Sequence, residues 1–283
     1  MDSSMAAGGQ AAQGGGSVAT LRFAWCGRSV RGLVRTNNED TLWAHPVGRA
    51  GAGAGDSDGR ASSAWPGLLL CAADGMGGAL AGEVASSMAV QGVAGTMQGV
   101  VGTAPTLDLR PALVRAIEAA HEAIQQASTR DAALHGMGTT LTAAWVVDDE
   151  LLVGQVGDSR AYLFRGGHLL QLTRDQSLVS QLLADGVITE EQAATMAGRN
   201  IILQALGSEE AVEVVTTSQR LVLGDVLLLC TDGLCGVVDN KVLEEELRRG
   251  GTPPELVARL VALAERHGGP DNITVLVARA ERP

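Results

Sequence analysis

At 283 residues the chain can bury a sizeable core, and with four Trp, two Phe and one Tyr that core must be aliphatic. The formal net charge is −11 and Lys241 is the only lysine, which argues against nucleic acid or an anionic membrane as partner. No run approaches the ~18 apolar residues of a membrane span, and Met1–Ser17 lacks the basic start and apolar centre of a secretion signal, so a cytoplasmic location is expected.

Met1–Ser17, rich in Gly, Ala, Ser and Gln, reads as a disordered tail. Leu21–Val30 is a predicted strand, Arg31–Asp40 a polar turn and Thr41–His45 a second strand. Gly48–Trp65, dense in Gly, Ala, Ser and Asp, reads as a surface loop. Leu68–Ala73 is a buried strand, after which Gly75-Met76-Gly77-Gly78 opens a helix running from about Gly82 towards Val100. Asp108 suits an N-cap with Pro111 in the first turn, and Leu113, Ile117, Ala120, Ile124 and Ala127 fall on one helix face. Thr139–Val147 with Leu151–Val156, and Ala161–Arg165 with His168–Leu172, form two predicted hairpins. Thr173–Arg199 is mixed and short-helical. Leu221–Thr231 and Ile273–Arg279 are strands, and Leu243–Arg249 and Pro254–His267 are helices between them. Strands in hairpins and helices in consecutive pairs argue for a layered α+β domain rather than a doubly wound parallel sheet. No repeat or boundary interrupts residues 18–283, so one domain is expected.

Two apolar runs each deliver a carboxylate followed by glycine: Leu68–Ala73 leads to Asp74-Gly75, and Val226–Thr231 leads to Asp232-Gly233. A third carboxylate, Asp271, stands just before the apolar segment Ile273–Val277. Asp-Gly is a common turn dipeptide, but lone carboxylates at buried strand ends are costly unless paired or bound to metal. Three of them point to an oxygen-ligand site for hard divalent cations, to which the Gly75 carbonyl adds a further acceptor. Gly75-Met76-Gly77-Gly78 fits no nucleotide loop: Leu80 stands where the dinucleotide fingerprint needs glycine or alanine, and the phosphate loop's lysine is missing. Cys26, Cys71, Cys230 and Cys235 lack zinc-type spacing and are expected as reduced thiols, Cys71 and Cys230 as small hydrophobes within strands, with Cys235 three residues past Asp232 the one candidate for redox sensitivity.

These motifs resemble, in order, the metal-dependent type-2C serine/threonine protein phosphatases. The resemblance is carried by Val34-Arg35 with Asn38-Glu39-Asp40, by Ala73-Asp74-Gly75-Met76-Gly77-Gly78 with Gly82-Glu83 and Ala85-Ser86, and by Gly138-Thr139-Thr140. It continues through Val156-Gly157-Asp158-Ser159-Arg160, Leu172-Thr173 with Asp175 and Ser177, Thr231-Asp232-Gly233-Leu234 and Asp271-Asn272-Ile273-Thr274. Together they span roughly residues 21–280, and the Asp-Gly-Met-Gly-Gly form resembles the bacterial branch.

The resemblance implies a four-layer α-β-β-α sandwich of two antiparallel sheets flanked by helices, with a binuclear Mn²⁺ or Mg²⁺ centre at one edge. It implies that Asp74 bridges the two ions, that Gly75 gives its carbonyl to one, and that Asp232 and Asp271 hold the other. Asp40 is implied to orient the first ion through water, Asp158 with Asp232 to form a weaker third site, and Arg35 to grip the substrate phosphate. The implied reaction is hydrolysis of phosphoserine or phosphothreonine in proteins by a metal-bridging hydroxide. Residues 174–199 correspond to the family's variable flap. Implied partners are phosphorylated proteins, including Ser/Thr kinases and their substrates, with a monomer as the default. Two positions depart from the pattern: Ala79 stands where bacterial members usually have His, and Gln176 replaces the His of Asp-His-Ser. Met76 stands where animal members place a proposed acid His, so no histidine acid is evident; His45, His121, His135, His168 and His267 all lie outside the motifs. Two other readings stay open: a phosphoprotein-binding regulator with this fold, and a phosphatase using Asp232 as covalent nucleophile.

Overall fold

The structure, a computed structural model, describes residues 20–49, 53–78, 81–102, 108–196, 198, 201–208 and 211–282; the expected N-terminal tail, Ala79, Leu80 and Arg199 lie outside the described residues. In chain order come β1 (Arg22–Val30), β2 (Thr41–Pro46), β3 (Ser57–Ser62), β4 (Leu68–Ala73), the two-residue β5 (Gly75–Met76), α1 (Ala81–Gln98) and α2 (Leu109–Arg130). Next are β6 (Gly138–Thr139), β7 (Leu141–Val147), β8 (Glu150–Val156), β9 (Arg160–Arg165) and β10 (His168–Gln171). Two short helices, α3 (Leu178–Ala184) and α4 (Glu190–Thr195), precede β11 (Val215–Arg220) and β12 (Val226–Cys230). After them come α5 (Asp232–Cys235), α6 (Asn240–Arg248), α7 (Pro253–Arg266) and β13 (Ile273–Glu281).

The apolar runs of β4 and β12 explain the layering, because successive side chains of a strand point to opposite faces. Leu68, Leu70 and Ala72 join Leu227, Leu229 and Leu276 in a core between two sheets. Leu69, Cys71 and Ala73 face the other way, into a core with Ala85, Ala89 and Val93 of α1 and Leu113, Ile117 and Ile124 of α2. Leu228 and Cys230 face a third core with Leu243 of α6 and Leu256 and Leu260 of α7. One sheet runs β10-β9-β12-β13-β1-β3 and the other β11-β8-β7-β4-β2, with β5-β6 as a small ribbon. All pairings between these strands are antiparallel, so the architecture is the four-layer α-β-β-α sandwich.

Differences from the sequence reading fall at the edges. Within the expected loop Gly48–Trp65, β3 pairs with β1 as an edge strand, its outward face polar. Its Gly59 lies under the Trp25 ring, where an added Cβ would overlap, which explains glycine in a strand. β11 is a polar edge strand on β8 that the sequence does not announce. The strand expected from Leu221 starts at Val226, because buried Asp225 accepts from the Val222 N–H (2.8 Å) and closes a turn there. Thr139 belongs to β6 rather than to the β7–β8 hairpin.

Candidate metal centre

Strand register gathers five carboxylates at one edge of the sandwich. Thr41 pairs with Ala73, so Asp40 and Asp74 each stand one residue beyond a matched pair. Cys230 pairs with both Arg160 and Val275, which brings Asp232, Asp158 and the Asp271-Asn272 turn to the same end. Two of these groups come off the five-stranded sheet, Asp232 and Asp271 belong to the six-stranded one, and Asp158 lies on the β8–β9 connection between them.

Hydroxyls and amides fix the backbone and leave carboxylate oxygens free. Asp40 is buried, and its Oδ2 accepts from Thr231 Oγ1 (2.7 Å) and Thr274 Oγ1 (2.8 Å). The Asp74 N–H donates to Thr140 Oγ1 (3.0 Å), and its carbonyl accepts from Thr139 Oγ1 (2.8 Å). Gly75 packs so tightly that an added Cβ would overlap the Gly82 and Glu39 carbonyls. Asp232 opens the single-turn helix α5. Asp271 accepts from its neighbour's Asn272 N–H (2.8 Å) through Oδ1 and from Arg35 Nη2 (2.7 Å) through Oδ2. Asn272 in turn clasps the Arg31–Glu39 turn, donating to the Arg31 and Asn37 carbonyls and accepting from the Glu39 N–H.

Asp40 Oδ1, Asp158 Oδ1 and Asp232 Oδ1 are buried without a hydrogen-bond partner. Such atoms carry a desolvation cost that a counter-ion removes. Burial, with added repulsion from Asp232 and Asp271 and against two threonine hydrogen bonds, pushes the Asp40 carboxyl up to about 7. Asp158 is also pushed to about 7, by burial and then by Asp232 and Asp175. Asp74 is raised well above the usual carboxylate range by burial and by Asp40, Asp232 and Asp158. Burial raises Asp232 too, followed by Asp271. These are like charges held together against repulsion.

The donor set is entirely oxygen, the chemistry that suits Mg²⁺ or Mn²⁺ rather than a soft metal. Among the described residues, no three acidic, histidine or cysteine groups converge as a finished coordination shell. By donor chemistry the residues fit a hard cation, the three partnerless oxygens being the atoms such an ion would meet. A cleft of about 570 Å³ opens beside Asp158 and Asp232 and is walled by Arg160, Asp175, Ser177 and Leu183 of the flap side. A separate cavity of about 470 Å³ near Met76 and Met137 is lined by no carboxylate.

The sequence reading places Thr231, Thr274, Thr140 and Asn272 within the motifs but gives them no role; in the structure they are the groups that aim the carboxylates and their loops. It also gave no hint that Arg35 is paired with Asp271 across the chain. Of the histidines, His121 is buried and its Nδ1 accepts from the Gly207 N–H (3.1 Å), while the His45 and His267 rings meet backbone carbonyls of Gly53 and Leu263. All four cysteines are buried and free.

A two-sheet α+β sandwich with an acidic edge of oxygen donors is the architecture of one phosphatase class, and a sequence model described as Protein phosphatase 2C matches residues 50–267. The chain belongs to that family. Among its relatives, the serine/threonine protein phosphatase PstP of Mycobacterium tuberculosis is 39% identical over 92% of this chain, which spans only 45% of that protein. The serine/threonine phosphatase stp of Listeria monocytogenes is 38% identical over 75% of this chain and 84% of its own length. The crystal structure of M. tuberculosis PstP/Ppp superposes with a TM-score of 0.77 at 39% identity, covering 93% of this chain and 100% of that one. A PstP catalytic domain solved in complex with two manganese ions aligns with a TM-score of 0.74 at 38% identity, over 92% and 99% of the two chains.

Proposed function

We propose that this chain is a Mn²⁺- or Mg²⁺-dependent phosphatase that hydrolyses phosphoserine and phosphothreonine in proteins. The observation that carries the reading is the trio of partnerless buried oxygens on Asp40, Asp158 and Asp232, drawn from three separate chain segments onto one edge. Asp74, the Gly75 carbonyl, Asp232 and Asp271 would hold two ions, with Asp40 orienting one through water and Asp158 joining Asp232 at a weaker third. Bound there, divalent cations would acidify a shared water and neutralise charge building on a phosphoryl group.

The chain's own residues do the rest. Thr231 and Thr274 fix which oxygen of Asp40 faces the site. Arg35, half-exposed beside Asp271, offers a planar fork that matches two phosphate oxygens and stays charged at every working pH. No histidine stands among these groups, so the departing serine or threonine oxygen takes its proton from water. The flap wall, α3 and α4, meets the polypeptide around the phosphosite, where substrate choice resides. Residues 18–283 serve as one catalytic domain, working in the cytoplasm on phosphoproteins that include kinases and their targets. Among the described residues no helix is long and apolar enough to cross a membrane.

The test is hydrolysis of a phosphothreonine peptide with and without Mn²⁺. Wild type should turn over only with metal, EDTA should stop it, and Asp232→Asn should lower kcat/KM by about 10²-fold or more. Full activity in that variant would overturn the proposal.

A further inference from the structure

Gln176, one of the two residues that depart from the family pattern, sits where three segments meet. Its side-chain Oε1 accepts from the Gly157 N–H at 2.6 Å, and its Nε2 donates to the Glu213 carbonyl at 2.9 Å. Its backbone N–H donates to the Gly157 carbonyl (3.0 Å), and its own carbonyl accepts from the Leu203 N–H (2.8 Å). The half-buried side chain thus uses the acceptor and the donor of one amide on two different partners. Gly157 has φ +100°, and an added Cβ would collide with Thr140, so the turn before Asp158 is tightly constrained. Gln155, buried in β8, grips the same turn from inside through the Gly157 carbonyl (3.0 Å) and accepts from the Arg174 N–H (3.2 Å). Beyond Gln176, Ser177 bridges to Ile202 and the Leu178 N–H donates to the Ile201 carbonyl, so the flap base is stitched to the segment leading into β11.

From this geometry we infer that Gln176 is a positioning residue: it locks the Gly157-Asp158 turn to the base of the flap and sets where Asp158 presents its carboxylate. The inference rests on the reading that Asp158 contributes to ion binding. It adds a coupling, since movement of the flap base must pull on the same amide that holds the turn. A neutral imidazole also has one acceptor and one donor, so histidine can substitute. Glutamate loses the donor and sets a charge against the Glu213 carbonyl.

The experiment is calorimetric Mn²⁺ titration of wild type, Asp158→Asn, Gln176→Ala, Gln176→His and Gln176→Glu, with hydrogen exchange followed over residues 157–160 and 201–204. Asp158→Asn and Gln176→Ala should each weaken the weakest-bound ion about tenfold and leave tighter binding unchanged. Gln176→His should retain wild-type binding, Gln176→Glu should resemble alanine, and exchange should rise in both segments for alanine and glutamate. If Asp158→Asn weakens that ion while Gln176→Ala does not, the inference fails and the reading of Asp158 stands. If Asp158→Asn changes nothing, the ion reading fails, and exchange in Gln176→Ala alone decides whether the lock exists. Equal loss of melting temperature in the alanine and histidine variants, with unchanged exchange, reduces Gln176 to a packing residue and overturns the inference.

Discussion

Asp40 shows how a buried carboxylate is aimed. Thr231 and Thr274 both donate to the same oxygen, which leaves the other buried with nothing to bond. The consequence is a pH dependence whose sign follows from the shifts. Asp40 and Asp158 lose their protons near 4 in the unfolded chain and near 7 in the fold. Between those values the folded state binds more protons, so the metal-free protein loses stability as pH rises through that window. Thermal melts in EDTA should therefore give a lower melting temperature at pH 8 than at pH 5.5, and saturating Mn²⁺ should shrink the difference by replacing the protons. A metal-free protein more stable at pH 8 would contradict these shifts. Arg35 belongs to the same scale: Arg35→Ala should raise KM for a phosphopeptide roughly tenfold or more, since a charge-assisted pair is worth about 1.5–3 kcal/mol. Steady-state kinetics on one peptide checks it.

Among the elements, α5 decides how closely the two halves of the six-stranded sheet's acidic end approach. It turns immediately after β12, and Gly233 in its first turn lies against the Asn272 carbonyl, where an added Cβ would overlap. Gly233→Ala should push Asp232 away from Asp271, costing about 1–3 kcal/mol in stability from overpacking. It should also weaken Mn²⁺ binding, a joint loss that denaturant unfolding and metal titration would reveal. An alanine variant with unchanged melting and unchanged titration would show that the loop yields freely. The flap has fewer anchors of this kind: no residue of α3 is buried, whereas Leu113, Ile117 and Ile124 of α2 are. That difference suits the role proposed for the segment, contact with the polypeptide around a phosphosite.

At the scale of the molecule, the strands that build the core were legible because burial on both faces leaves unbroken apolar strings, as in Leu68–Ala73 and Val226–Cys230. The carboxylates at their ends were legible for the same reason, being polar where a buried strand should stay apolar. The edges were not: β3 falls in an expected loop and β11 in a stretch given no element, because one face of each meets water and their sequences, SDGRAS and VTTSQR, hold few apolar residues. Pairings such as Arg35 with Asp271, 236 residues apart, depend on register that no local pattern encodes. The molecule-scale expectation is that saturating Mn²⁺ slows hydrogen exchange in β4 and β12 as well as around the site, because binding to the folded state alone stabilises everything that unfolds with it. Protection confined to the loops would show that the cores do not feel the centre.

The placement of Asp74 beyond β4 and Asp232 beyond β12 has a mechanical consequence. Each residue is anchored in a different sheet, so the gap between the two carboxyl groups is set across the seam of the sandwich. A sliding of one sheet over the other by an ångström would be felt first as a change in the gap between two carboxyl groups. The edge is thus a caliper for the packing beneath it, and substitutions deep in the inter-sheet core, far from any reacting atom, should alter catalysis by opening its jaws.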